Sequence, residues 1–245
     1  MRKLVMMMAL FGSLNALPCY EDYPNVGKHG DGSYLSFVKD IDKNRVKIIF
    51  EIGSRDALDA IDLSQYFKAH VVAFECNPYQ IPVCRENIGN NPNVTLEPYG
   101  VWDSNGYRDF YRVIDKNPGA SSFFESNTES PYYKPDHPDA TTQEKIVVPC
   151  IRLDDYLEHK KIGRIDLLCM DVQGAAYQVL ESLGTHLKRV KYIIVELETQ
   201  RMYVGEKLYD EVDQYLRNSG FIRLSPALDP NGLFGDVLYM NTHIK

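Results

Sequence analysis

The segment Val46-Lys47-Ile48-Ile49-Phe50-Glu51-Ile52, stopped by Gly53-Ser54, constrains the fold more than any other part of the chain. A run this apolar suits a strand covered on both faces, and such strands lie inside parallel sheets flanked by helices. The next segments keep that rhythm. Residues 56–67 have helical spacing, with Ala57, Ile61 and Ser64 on one line and Leu58, Ala60, Leu63 and Phe67 beside it. His70–Glu75 reads as a strand, Pro78–Ile88 as a helix and Val94–Leu96 as a strand. Alternating β-α-β-α-β predicts a doubly wound, mostly parallel α/β sheet. Further on, 146–148, 165–171, 190–197, 221–224 and 237–240 read as strands. Residues 175–183 and 208–218 read as helices, the second ending at Gly220.

A chain of 245 residues fits one such domain with an extension. The expected division is an apolar leader at 1–18, an extension at 19–45 with a short helix over Tyr34–Ile41, and the α/β domain at 46–245. The leader, Met1-Arg2-Lys3 followed by the apolar Leu4–Leu14 and by Pro18, reads as a secretory signal peptide or as an apolar helix packed on the domain. It is too short for a stable membrane span. Segment 115–142 holds Pro118, Pro131, Pro135 and Pro138 and reads as a long loop or lid. The net charge of −7 argues against a nucleic-acid partner bound through its phosphates. The five cysteines include no CxxC pair, which points to reduced, buried thiols rather than a metal or redox site.

The chemistry begins where strands end. In open α/β sheets ligands bind outside the carboxyl ends of the strands. Two carboxylates stand there: Glu51, just before Gly53, and Glu75, which follows Gly53 by 75 − 53 = 22 residues. A carboxylate about 20 residues beyond the glycine turn can accept hydrogen bonds from ribose hydroxyls. The glycine pattern separates two cofactor classes. A dinucleotide needs G-x-G-x-x-G to seat a pyrophosphate, but Ser54, Arg55, Asp56 and Ala57 follow Gly53, and Asp56 would repel that anion. S-adenosylmethionine carries no phosphate and bears a sulfonium and an ammonium, which suit Glu51 and Asp56. An ordinary strand-turn-helix junction is the structural alternative. Farther along, Asp171 ends a buried strand, where a carboxylate needs a partner, a helix to cap or a function.

Other residues carry less. Asp136-His137-Pro138-Asp139 could offer metal ligands, but reads as a solvated loop, and no metal site is expected. His159-Lys160-Lys161 reads as a solvated charge run, and Tyr20, Tyr23, Tyr132 and Tyr133 as surface residues or an acceptor wall. There is no Walker loop, HExxH or Ser-His-Asp order, which removes phosphotransferase and hydrolase readings.

Together these segments resemble the FkbM family of methyltransferases. The matching stretches are Phe50–Asp56, Ala73-Phe74-Glu75-Cys76-Asn77-Pro78, Gly100–Gly106, Ile165–Ala175, Ile194–Glu198 and Gly235–Tyr239. The resemblance implies a Rossmann-like class I methyltransferase with an antiparallel C-terminal strand over residues 46–241. It implies S-adenosylmethionine as cofactor, with Glu51 and Gly53 at its methionine portion, Glu75 at its ribose, the Gly100–Asp103 loop with Val101 and Trp102 beside its adenine, and Ser54, Cys76 and Asn77 among the cofactor-binding residues. Asp171 would be the catalytic residue facing the methyl group or acceptor, and Ser121 and Ser122 would lie near the substrate mouth. The acceptor would be a hydroxyl of a small molecule or carbohydrate. A cytosolic cofactor favours the cytoplasm, and the leader favours a secreted or periplasmic protein. The chain departs from the family at Met170, Gln173 and Ala176, where Lys, Glu and Glu are frequent. Losing a carboxylate at Ala176 removes a candidate base, so an exported or degenerate binding protein on this fold is a rival, and an NAD-type oxidoreductase is another.

Overall fold

The structure, a computed structural model, describes residues 34–115, 117–130 and 142–244. The leader, Cys19, the four outlying tyrosines and the Asp136–Asp139 stretch lie outside them. Strands β1 (Ile48–Ile52), β2 (His70–Phe74), β3 (Val94–Glu97), β7 (Ile165–Met170), β8 (Val190–Glu198), β9 (Phe221–Arg223) and β10 (Phe234–Asn241) form one sheet in the order β3-β2-β1-β7-β8-β10-β9. The first five run parallel, and β10 enters antiparallel between β8 and β9. That is the doubly wound sheet with an antiparallel C-terminal strand expected from the sequence.

The period-2 alternation of the strands divides the core. Phe50, Ile52, Leu168 and Met170 pack on one face with Leu153, Tyr156 and Leu157 of α3 (Leu153–Lys160), Val179 of α4 (Ala176–Ser182) and Leu216 of α5 (Tyr209–Asn218). Ile49, Leu167 and Cys169 pack on the other with Leu63 and Phe67 of α1 (Leu58–Phe67), Cys84 of α2 (Ile81–Ile88) and the turns that carry Tyr34, Leu35 and Val38. Buried Asp166 is not an unpaired charge. Its carboxylate accepts from Lys47 N at 2.8 Å and Ile48 N at 3.0 Å and pairs with Arg164, locking the start of β1 to β7.

Several elements differ from the sequence reading. The helix expected over Tyr34–Ile41 is two 3₁₀ turns, Tyr34–Ser36 and Val38–Asp40. A second sheet, β4 (Gly100–Val101), β6 (Gln143–Ile151) and β5 (Gly106–Val113), has no counterpart in that reading beyond 146–148. The charged His159-Lys160 closes helix α3, where basic groups complement the helix dipole. The segment from 114 to 142 joins β5 to β6. Its ends are clasped by Ile114 N to Thr142 O at 3.0 Å and Thr142 N to Asp115 Oδ2 at 2.8 Å. Cys76, Cys84, Cys150 and Cys169 are free and buried. Among the described residues, no helix is long and apolar enough to cross a membrane.

Candidate active site

The strand order reverses between β1 and β7, and a crevice of about 350 Å³ opens beyond their carboxyl ends. Its floor is a pair of touching turns. Gly53 N and Ser54 N both donate to Phe74 O at 3.0 Å, and Asp171 N donates to Ile52 O at 3.1 Å. Gly53 holds φ +85°, and a Cβ built on it would stand 2.0 Å from the Asp171 carbonyl oxygen. Glycine is therefore required both by the backbone conformation and by the close approach of the next turn.

Two of the expected carboxylates are tied down by their neighbours. Ser54 Oγ donates to Glu51 Oε2 at 2.6 Å. Glu51 is raised well above an ordinary glutamate by burial, then by Asp59, with the Ser54 bond opposing. Glu75 accepts from Arg55 N at 2.8 Å on one oxygen and Asn77 N at 2.7 Å on the other. Burial pushes Glu75 up to about 7 against those bonds. A carboxylate offers about four lone-pair sites, so these bonds leave capacity for a ligand hydroxyl. Burial also raises the Cys76 thiol, so it stays protonated and contributes contact rather than a nucleophile.

The structure brings Glu51, Gly53, Ser54, Glu75, Cys76, Asn77, Val101 and Asp171 to this one crevice. Trp102 is placed elsewhere. It packs under the small sheet against Phe123 and Phe124, with Arg108 over its ring, and does not line the crevice. Ser121 lines the mouth, while Ser122 stands behind it, its Oγ donating to Gln173 O at 2.6 Å. Ala176 belongs to the main core and does not line the crevice. A carboxylate missing there is not a gap in the crevice wall.

Sequence reasoning missed the far wall. Asp171 is open to the crevice and enclosed by protein on its other sides. Gln173 Nε2 donates to Asp171 Oδ1 at 2.6 Å and to Glu196 Oε1 at 2.9 Å, and Gln173 Oε1 accepts from Tyr203 Oη at 2.5 Å. The one amide thus bridges the two carboxyls, and burial raises Asp171 against the Gln173 bond and the Arg55 charge. Burial and the neighbouring Asp171 drive Glu196 strongly upward. Asp236 stands directly across from Glu196 in the β8–β10 register, and burial pushes it up to about 7. Behind them Glu198, at about 8, and Glu206, at about 7, are raised by burial first. Each keeps one oxygen with no hydrogen-bond partner. The available signal was a set of acidic residues inside the apolar stretch 190–198, since a carboxylate placed there needs a partner.

The crevice wall carries Glu51, Asp56, Asp59, Glu75, Asp171 and Glu196, against the single guanidinium of Arg55 among the described residues. Such a wall favours a ligand with positive charge and hydroxyl groups and disfavours one with phosphates. The fold is that of the Rossmann-like class I methyltransferases. The family model described as "Methyltransferase FkbM domain" matches residues 51–223, and the chain belongs to that family. It is 28% identical over 199 residues to 2-O-methyltransferase NoeI of Sinorhizobium fredii, covering 80% of each chain. It is 23% identical over 183 residues to hexuronic acid methyltransferase AglP of Haloferax volcanii, covering 71% of this chain and 69% of that one. In fold it is similar to Streptococcus pneumoniae Sp1610, described as a candidate tRNA (m1A22) methyltransferase, with a TM-score of 0.50 at 13% identity over 88% of this chain and 72% of that one.

Proposed function

We propose that the protein transfers a methyl group from S-adenosylmethionine to a hydroxyl of a carbohydrate or related small acceptor. The observation that carries this reading is the acidic crevice at the switch point, in which Glu75 directly follows β2 with both oxygens oriented by backbone N–H groups. Similarity to NoeI and AglP, whose names specify 2-O-methylation and a hexuronic acid, supports the hydroxyl and the carbohydrate.

The residues fit the donor. Glu75 would accept from the ribose hydroxyls, and Glu51 and Asp56 would face the positive groups of the methionine end. Gly53 would let the backbone approach, and Val101 would give an apolar wall to the base. When bound, the cofactor supplies an electrophilic methyl on sulfur, whose bond electrons return to that sulfur as the methyl leaves. The chain's own work is positioning and proton removal. Asp171 would accept the proton of the acceptor hydroxyl as its oxygen gains the methyl, and later release it to water. Cys76 and Asn77 flank Glu75, and Ser54 holds Glu51 in place. A cytosolic methyl donor argues for action in the cytoplasm, and fractionation with N-terminal sequencing tests this against export.

Calorimetry with S-adenosylhomocysteine against NAD tests the cofactor: binding of the first alone is expected, and binding of NAD alone overturns the reading. For the base, Asp171→Asn should abolish methyl transfer to hydroxylated glycans while leaving S-adenosylhomocysteine affinity within twofold. Unchanged transfer removes Asp171 from its role.

A further inference from the structure

We propose that Gln173 is a positioning residue whose amide bridges Asp171 and Glu196 and favours the charged form of Asp171. The proposal rests on the reading of Asp171 as the acceptor's base. Three contacts fix the amide. Its nitrogen has both hydrogens committed, to Asp171 at 2.6 Å and to Glu196 at 2.9 Å. Its side-chain oxygen is committed to the Tyr203 hydroxyl at 2.5 Å, so the amide cannot flip without placing oxygen against two carboxyls. The backbone is held as firmly. Gln173 has φ +48°, a conformation costly for a side-chain-bearing residue, and its carbonyl accepts from Ser122 Oγ at 2.6 Å. Strain of this kind persists where surrounding contacts over-determine the geometry, and here every contact serves to aim one amide.

The chemical consequence concerns protons. Two carboxyls bridged by one amide in a partly enclosed wall disfavour carrying two negative charges at once. An amide NH₂ donates to both without titrating. Its shorter bond goes to Asp171, whose charged form it stabilises as the acceptor of an incoming hydroxyl proton, while burial and Asp171 raise Glu196 against the longer bond. A glutamate at 173 would put a third carboxyl into the same wall and offer one hydrogen at most. The groups facing this pair from other elements are Arg55 from the β1–α1 turn and Asp236 from β10, with Glu198 on the same strand as Glu196 and Tyr34 near Asp171. Arg55 favours charge on Asp171, while Asp236 and Glu198 oppose charge on Glu196.

The test is an infrared pH titration of the full chain without ligands, reading the carbonyl stretch of protonated carboxyls. Wild type near pH 7 should contain a band that Glu196→Gln removes and Asp171→Asn does not. Gln173→Leu should add a second band, removed by Asp171→Asn in the double variant. The midpoint of Asp171 protonation should rise by about one to two pH units, the loss expected for one hydrogen bond to a charged group. If Gln173→Leu does not fold, Gln173→Glu preserves the size and should raise the same midpoint. An Asp171 midpoint unchanged in the folded variant overturns the proposal. Since the readout needs neither cofactor nor acceptor, its failure is distinct from failure of S-adenosylhomocysteine to bind, which would instead remove the methyl-transfer reading.

Discussion

Replacing Gly53 by alanine tests how the crevice floor is built. Two costs add. The backbone sits at φ +85°, where a Cβ costs about 1–2 kcal/mol. The new Cβ would also lie 2.0 Å from the Asp171 carbonyl oxygen and 3.0 Å from its carbon, both backbone atoms. Overpacking of this sort costs about 1–3 kcal/mol as the structure yields. The unfolded chain loses entropy on gaining a side chain, which offsets about 0.4–1 kcal/mol. The net expectation is a destabilisation of about 2–4 kcal/mol, a large share of the roughly 5–15 kcal/mol that holds a domain together. Urea unfolding by circular dichroism should show the midpoint falling by about 1 M or more at unchanged slope. Because Asp171 N is bonded to Ile52 O, the yielding part is the Asp171 turn, and methyl transfer should fall with it. A Gly53→Ala protein within about 0.5 kcal/mol of wild type, with activity intact, would refute the claim that the two turns touch this closely.

Three further outcomes rest on the same geometry. Glu75→Gln keeps the shape but gives up one acceptor oxygen, and should weaken S-adenosylhomocysteine binding by about 10-fold or more in calorimetry, the worth of one hydrogen bond to a charged group; unchanged affinity would remove Glu75 from the ribose site. Tyr203→Phe strips the partner from the buried Gln173 oxygen and should cost about 1–3 kcal/mol of stability in denaturant titration; a neutral effect would mean the amide is held without it. Glu198 is raised from the usual 4.5 to about 8, so the folded state binds more protons than the unfolded state between those values, and its contribution to stability is full below pH 4.5 and lost as pH rises through 8. Melting temperature should therefore decline across that window, and Glu198→Gln should flatten the decline; a parallel decline in the variant would place the titration elsewhere.

The sheet was legible because its central strands are buried on both faces, and a strand such as Ile165–Met170 advertises that in every residue but Asp166. Strand β5 gave no such sign. Its Tyr107, Arg108 and Asp109 face solvent or the rim, and its strand state comes from pairing with β6, which begins 30 residues on (143 − 113 = 30). The same distinction divides the site. The half built around Gly53 and Glu75 lies in two short turns, each contiguous in sequence, and its residues share one crevice. The half built around Asp171 draws Glu196 from β8, Asp236 from β10 and Tyr203 from the loop after β8. What joins these is strand register, such as Asp236 opposite Glu196, and register is not written in any single segment. Trp102 was misplaced for a related reason: Val101 ends β4 at the crevice, while the next side chain turns under the small sheet, as alternation requires.

The pairing of β1 with β7 bears on how the molecule is made. These neighbours are separated by 165 − 52 = 113 positions along the chain. As a nascent chain leaves the ribosome, β1, β2 and β3 can associate early, but one flank of β1 stays without its hydrogen-bonding neighbour until β7 has been synthesised. That flank is apolar and ready to accept any strand that reaches it, which is the feature most prone to misassembly. The seam that closes late is the one on which Gly53 and Asp171 meet. Assembly of the crevice therefore coincides with removal of an open, apolar strand edge, and a variant that slows β7 docking should show raised aggregation in the cell.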